Sequence, residues 1–108
     1  MEATFNFNIR ISILTDQAFE PQDLISFGEE NLQSYVGILG TVKFEIKKVP
    51  TDIYSCVARY ECQITLRSLS LSSDTLNQQG KTIIHFMIGK YREHKNLRFT
   101  TEGLIPKR

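Results

Sequence analysis

From residue 5 to residue 13 the chain alternates without a break: Phe5, Phe7, Ile9, Ile11 and Ile13 are apolar, and Asn6, Asn8, Arg10 and Ser12 between them are polar. A period of two puts all five apolar side chains on one face of a strand. The other face is left for solvent or for a polar partner such as nucleic acid.

The period then changes. Pro21 suits the first turn of a helix, where its missing N–H costs nothing, and Asp23 stands near the positive end of the helix dipole. A helix is predicted over 21–36, with Leu24, Leu32 and Tyr35, and Phe27 or Ile25 beside them, forming an apolar stripe. Gly28 allows close approach to a sheet, and Gly37 is placed to end the helix. Alternation returns over 41–48, where Val42, Phe44 and Ile46 interleave with Lys43, Glu45 and Lys47. Pro50, Thr51 and Asp52 read as a turn into 53–60, whose apolar and aromatic residues suit a central strand paired with its predecessor.

Residues 61–72 fit two periods. Cys62, Leu66 and Leu69 have helical spacing, while Ile64 with Leu66, and Leu69 with Leu71, suit a strand. A helix is the expectation adopted. The polar stretch 72–80 is then a loop, 82–88 is a β-branched closing strand, and Gly89 ends it. The order strand, helix, strand, strand, helix, strand is an α+β, split βαβ arrangement of ferredoxin-like or RRM-like type. Two helices would cover one face of a four-stranded antiparallel sheet and leave the other open. Residues 1–90 form the expected domain and 91–108 a basic C-terminal extension.

Composition adds one asymmetry. Of 108 residues 41% are hydrophobic and 23% charged, as in an ordinary folded domain, and the net charge is +1. Residues 1–89 hold seven Lys or Arg against ten Asp or Glu, whereas residues 90–108 hold six against two. Such a basic end steers association with polyanions, which makes Lys90, Arg92, Lys95, Arg98, Lys107 and Arg108 candidate RNA-binding residues, unless the segment is simply a solvated terminus. No basic n-region precedes an apolar run and no stretch approaches the ~20 apolar residues of a membrane span, so a soluble intracellular protein is expected. Cys56 and Cys62 are read as reduced, buried thiols.

Catalytic chemistry leaves little trace. There is no HExxH, no Cys or His at metal-ligand spacing and no phosphate-binding loop, so neither cofactor nor metal is expected. His85, between Ile84 and Phe86, reads as a structural or interface residue rather than a base. Neither 53–60 nor 44–49 carries the aromatic RNP1 pattern with which an RRM stacks bases.

The order of elements, the helix ending Tyr35-Val36-Gly37, the hairpin with second strand 53–59, the Leu-rich helix over 62–71 and the closing strand 82–88 resemble the small Pop/Rpp protein subunits of eukaryotic ribonuclease P and ribonuclease MRP. The resemblance covers about residues 5–90. It implies a non-catalytic subunit of an RNA-based endoribonuclease in nucleus and nucleolus, active in precursor tRNA 5′ processing and rRNA processing. The implied partners are a small subunit of similar fold, a TIM-barrel subunit, and the ribonuclease P or MRP RNA, with the RNA contact direct or indirect. The apolar run at the end of the first helix marks Tyr35, Val36, Ile38 and Leu39 as a candidate partner interface, with burial in the domain's own core as the other reading of the same residues. Because such folds host many functions, a ferredoxin-like small-ligand-binding domain or enzyme, or a protein adaptor without RNA, stands as the alternative.

Overall fold

The computed structural model describes residues 3–14, 19–50 and 58–107, with side chains through Gly103. Six elements follow in order: β1 (Ala3–Ile13), α1 (Pro21–Val36), β2 (Thr41–Val49), β3 (Ala58–Ser68), α2 (Ser73–Lys95) and β4 (Phe99–Lys107). The sheet has the order β2-β3-β1-β4, antiparallel at every junction, which is the split βαβ arrangement with β1 and β3 in the centre.

The alternation of β1 becomes burial. Phe7, Ile9, Ile11 and Ile13 are buried under the helices together with Cys62, Ile64 and Leu66 of β3. α1 contributes Leu24, Leu32 and Val36, and α2 contributes Leu76, Ile84, Met87, Ile88 and Tyr91. Two glycines set the helix-to-sheet distance. A Cβ on Gly28 would come within 2.7 Å of the Phe44 ring, and one on Gly80 within 2.9 Å of Phe7. α1 spans the residues its pattern predicts, and Gly37 at its end adopts φ 91°, a backbone that favours glycine.

Three elements differ from the expected positions. Residues 62–71, expected as a helix, are mostly β3: Cys62, Ile64, Leu66 and Ser68 are buried while Glu61, Gln63 and Arg67 are exposed. The strand period wins because β1 pairs along one side of β3 and β2 along the other, satisfying backbone groups that a helix would have to satisfy internally. Residues 82–88, expected as the closing strand, lie inside α2, where buried positions 76, 80, 84, 87, 88 and 91 recur at helical spacing. The expected loop 72–80 is the start of that helix. The Ser72 side chain caps it by accepting from Thr75 N–H at 3.2 Å, and Ser73, Asp74, Gln78 and Gln79 face solvent. The fourth strand then comes from the segment expected as a basic extension, with Phe99 paired to Ile13 and Lys107 to Asn6. Most of the expected turn 50–52 and of the expected strand 53–60, with Cys56, lies outside the described residues.

The strand assignment has a direct mutational test. Ile64→Ala removes a fully buried side chain and should cost about 2–5 kcal/mol in urea unfolding, whereas Leu69→Ala, on the exposed turn after β3, should cost under about 0.5 kcal/mol. A helix over 62–71 demands a large loss at Leu69 instead.

Candidate functional site on the open sheet face

The helices cover one face of the sheet, and the polar residues of β1 emerge on the other. The registers place Lys47 of β2 opposite Glu61 of β3, Glu61 opposite Arg10 of β1, and Arg10 opposite Glu102 of β4. One row across all four strands therefore alternates in charge. The Arg10 guanidinium lies 3.2 Å from Glu61 Oε1, to which it donates a hydrogen bond, and 3.8 Å from Glu102 Oε1. In the neighbouring rows the central strands carry uncharged polar residues, with Asn8 opposite Gln63, and Asn6 opposite Thr65, whose hydroxyl donates to Asn6 Oδ1 at 2.7 Å, while β2 adds Glu45 beside Gln63 and Lys43 beside Thr65.

A concavity of about 590 Å³ opens beside the charged row, lined by Asn8, Ile9, Arg10, Glu61, Gln63, Glu102 and Gly103. Its origin is a β-bulge. Between the pairs Asn8–Ile105 and Arg10–Glu102, β4 uses one more residue than β1, and Gly103 there adopts φ 74°. The bulge bends β4 away from the regular ladder, so the floor is main chain and the walls carry two amides, one guanidinium and two carboxylates.

The residues singled out by charge fall on α2, on the link after it and on β4. Lys90 is exposed on α2, and Arg98 is exposed in the link to β4. Arg92 is spent internally: it donates to the Phe99 carbonyl at 3.1 Å and stacks over the Phe99 ring at 5.3 Å. Lys95 pairs with Asp23 at 3.1 Å, an oxygen that also accepts the buried Tyr91 hydroxyl at 3.0 Å, so the end of α2 is fastened to the start of α1. Lys107 stands at the opposite end of β4, about 27 Å along the strand by strand rise, and Arg108 lies outside the described residues.

The candidate interface residues also divide. Val36 is in the core and Tyr35 is half-buried, with its hydroxyl lacking a hydrogen-bond partner among the described residues and its pKa raised by burial. Ile38 and Leu39 project into solvent, 98% and 74% exposed. Their turn is held closed by the Gln33 side chain, which donates to the carbonyls of Gly37 and Gly40, each at 2.8 Å.

Among the described residues reactive groups are few. Burial pushes the Cys62 thiol up to about 12, which removes it as a nucleophile at neutral pH. His85 and His94 are exposed on α2, and among the described residues no group of three or more His, Cys, Asp or Glu is arranged to hold a metal ion. The sheet-face row escaped the sequence reading because it joins four strands that are far apart in sequence. The one available signal was the polar face of β1, with Arg10 in its middle.

No family model matches the chain, and no curated protein matches it. Solved structures share its fold. A protein designated an amidohydrolase/peptidase, from Burkholderia cenocepacia, superposes with TM-score 0.58 at 13% identity. The aminobenzoyl-glutamate utilization protein from Klebsiella pneumoniae does so with TM-score 0.50, also at 13% identity. Each match takes in 97% of this chain but 28% of the other, so the chain spans little more than a quarter of those proteins. At this identity the likeness shows a common fold. It also corrects the expected kinship with ribonuclease P and MRP subunits, because the fold's neighbours are bacterial amidohydrolase/peptidase-type proteins. That kinship rested on a helix over 62–71 and a strand over 82–88, which are β3 and α2 in the structure. The implied tRNA- and rRNA-processing role, the small and TIM-barrel partner subunits, and the ribonuclease P or MRP RNA lose their basis with it.

Two outcomes are expected from this geometry. Arg10→Met removes two exposed pairs of about 0.2–1 kcal/mol each, so urea unfolding should show a loss near 1 kcal/mol at low salt that falls by more than half in 1 M NaCl. A loss independent of salt excludes the electrostatic row as its cause. For Tyr91, desolvation first and the Asp23 hydrogen bond second raise the pKa above the ordinary value of 10.0. Its contribution is thus complete below pH 10 and is lost as pH climbs from there toward the raised value. Stability between pH 9 and pH 12 should fall more steeply in the wild type than in Tyr91→Phe; parallel curves contradict the assignment.

Proposed function

We propose that this chain is a ligand-binding accessory domain without hydrolytic machinery of its own, and that the concavity beside Arg10 takes a small amide-bearing molecule. The observation that carries the reading is the lining. Asn8 and Gln63 each offer a carbonyl acceptor and an amide donor, the complement of a peptide group. Arg10 is already flanked by Glu61 and Glu102, so the three charged walls sum to one negative charge. Such walls favour neutral or cationic amides over dicarboxylates.

The size fits as well, since about 590 Å³ lies within the usual range of small-molecule sites. The shared fold supports the same class of ligand, because the similar chains are designated amidohydrolase/peptidase and aminobenzoyl-glutamate utilization proteins, both names that turn on an amide bond. The domain's part in such a system is to hold an amide-bearing molecule, not to cleave it.

Thermal unfolding with a neutral dipeptide amide and with aminobenzoyl-glutamate as separate probes tests the reading. At ten times Kd the dipeptide amide should stabilise the fold by about 1.4 kcal/mol, a rise of roughly 5 °C in Tm, with a smaller rise for the dianion. The paired substitutions Asn8→Ala and Gln63→Ala should abolish the rise while leaving the unliganded Tm within about 3 °C. No rise with millimolar dipeptide amide, or a rise that survives the double substitution, overturns the proposal.

A further inference from the structure

The sheet ends in two unequal edges. On β4 the ladder is broken by the bulge at Gly103, and Pro106 has no N–H to donate. β2 presents nine consecutive residues in unbroken register with β3, a regular edge open to another strand. Beside that edge stand apolar groups that the domain's own core leaves partly uncovered. Val42 and Ile46 are half-buried, and Leu39, on the Gln33-clamped turn just before β2, is 74% exposed.

The charges on β2 choose both the occupant and the register. In an antiparallel pair of identical strands centred on Glu45, Lys43 would oppose Lys47 of the other copy, and Glu45 would oppose itself. Centring the pair on Phe44 reverses this. Lys43 then opposes Glu45 of the other copy, twice by symmetry, Val42 meets Ile46, Phe44 meets Phe44, and Lys47 stands opposite Thr41. Opposite charges and apolar pairs directly across an antiparallel ladder stabilise it, and like charges destabilise it. Lys43 and Glu45 already lie 3.0 Å apart within one strand, so the centred pairing makes an alternating square of four charges. The same register carries Leu39 to the Val49 end of the other copy's strand.

From these three features, the regular edge, the self-complementary charges and the uncovered apolar side chains, we propose that two copies of this chain pair through β2 in the Phe44-centred register. The result is one continuous eight-stranded sheet with all four helices on one face, closed by a two-fold axis so that no edge of β2 remains. The ligand concavity is lined from β1, β3 and β4 and by no residue of β2, so the two proposals stand or fall separately.

Sedimentation equilibrium of the full chain from 1 to 500 µM, with circular dichroism to confirm folding, is the test. The wild type should be dimeric at the upper end. Lys43→Glu and Glu45→Lys each turn both attractive pairs repulsive and should raise Kd about tenfold or more. An equimolar mixture of the two variants restores opposite charges at every pair and should dimerise at least as well as the wild type. A monomeric wild type at 500 µM overturns the proposal, as does a dimer indifferent to both substitutions. A dimer tightened by Lys43→Glu also overturns it, because the Glu45-centred register alone gains from that change.

Discussion

Everything in this fold hangs on β1 having two different faces. It is hydrogen-bonded on both sides, to β3 and to β4, so its backbone is satisfied within the sheet and its side chains divide strictly between the faces. A slip of one residue would push Phe7, Ile9, Ile11 and Ile13 into water and drive Arg10 into the core. Burying an unpaired guanidinium carries a penalty far above the worth of any surface ion pair, so the register is set twice, once by burial and once by charge. The helices follow from that choice. Gly28 and Gly80 let α1 and α2 descend onto Phe44 and Phe7, and the Tyr91–Asp23–Lys95 contact fastens one helix to the other.

The polar face is the consequence that matters for function. Its charged row is assembled from four strands, and the concavity beside it exists because β4 carries one residue too many at Gly103. Among the described residues of the interior, Cys62 is kept protonated by burial and Tyr91 is committed to Asp23. An open sheet face on rigid strands rather than on loops suits the ligand-holding role proposed for the domain.

Elements governed by a local period were legible in the sequence. The strict alternation of 5–13 and the stripe of α1 between Pro21 and Gly37 reappear almost residue for residue, as does β2. What failed was decided by partners distant in sequence. Residues 62, 66 and 69 satisfy a helical spacing by coincidence, and only pairing with β1 and β2 makes 62–68 a strand. The β-branched run at 82–84 suggested a strand, yet the stripe from Leu76 to Tyr91 buries a helix face. Gly80 closes the stretch that reads as a loop, whereas in the helix it permits close packing against Phe7. Those two inversions supported the ribonuclease P resemblance, and they also hid β4 inside a segment whose basic charge suggested an extension. The site was visible only as the polar half of β1, since Glu61, Gln63 and Glu102 join Arg10 through tertiary pairing alone.

Native-state hydrogen exchange tests the central place of β1 most directly. The ladder amides of residues 7–13 should share one slow opening free energy with those of 62–66 in β3, equal to that of global unfolding, while the ends of α2 and the turn at 37–40 open at lower cost. If the β1 amides instead exchange as fast as those of an edge strand, with β3 remaining protected, then β1 is not the element on which the fold depends.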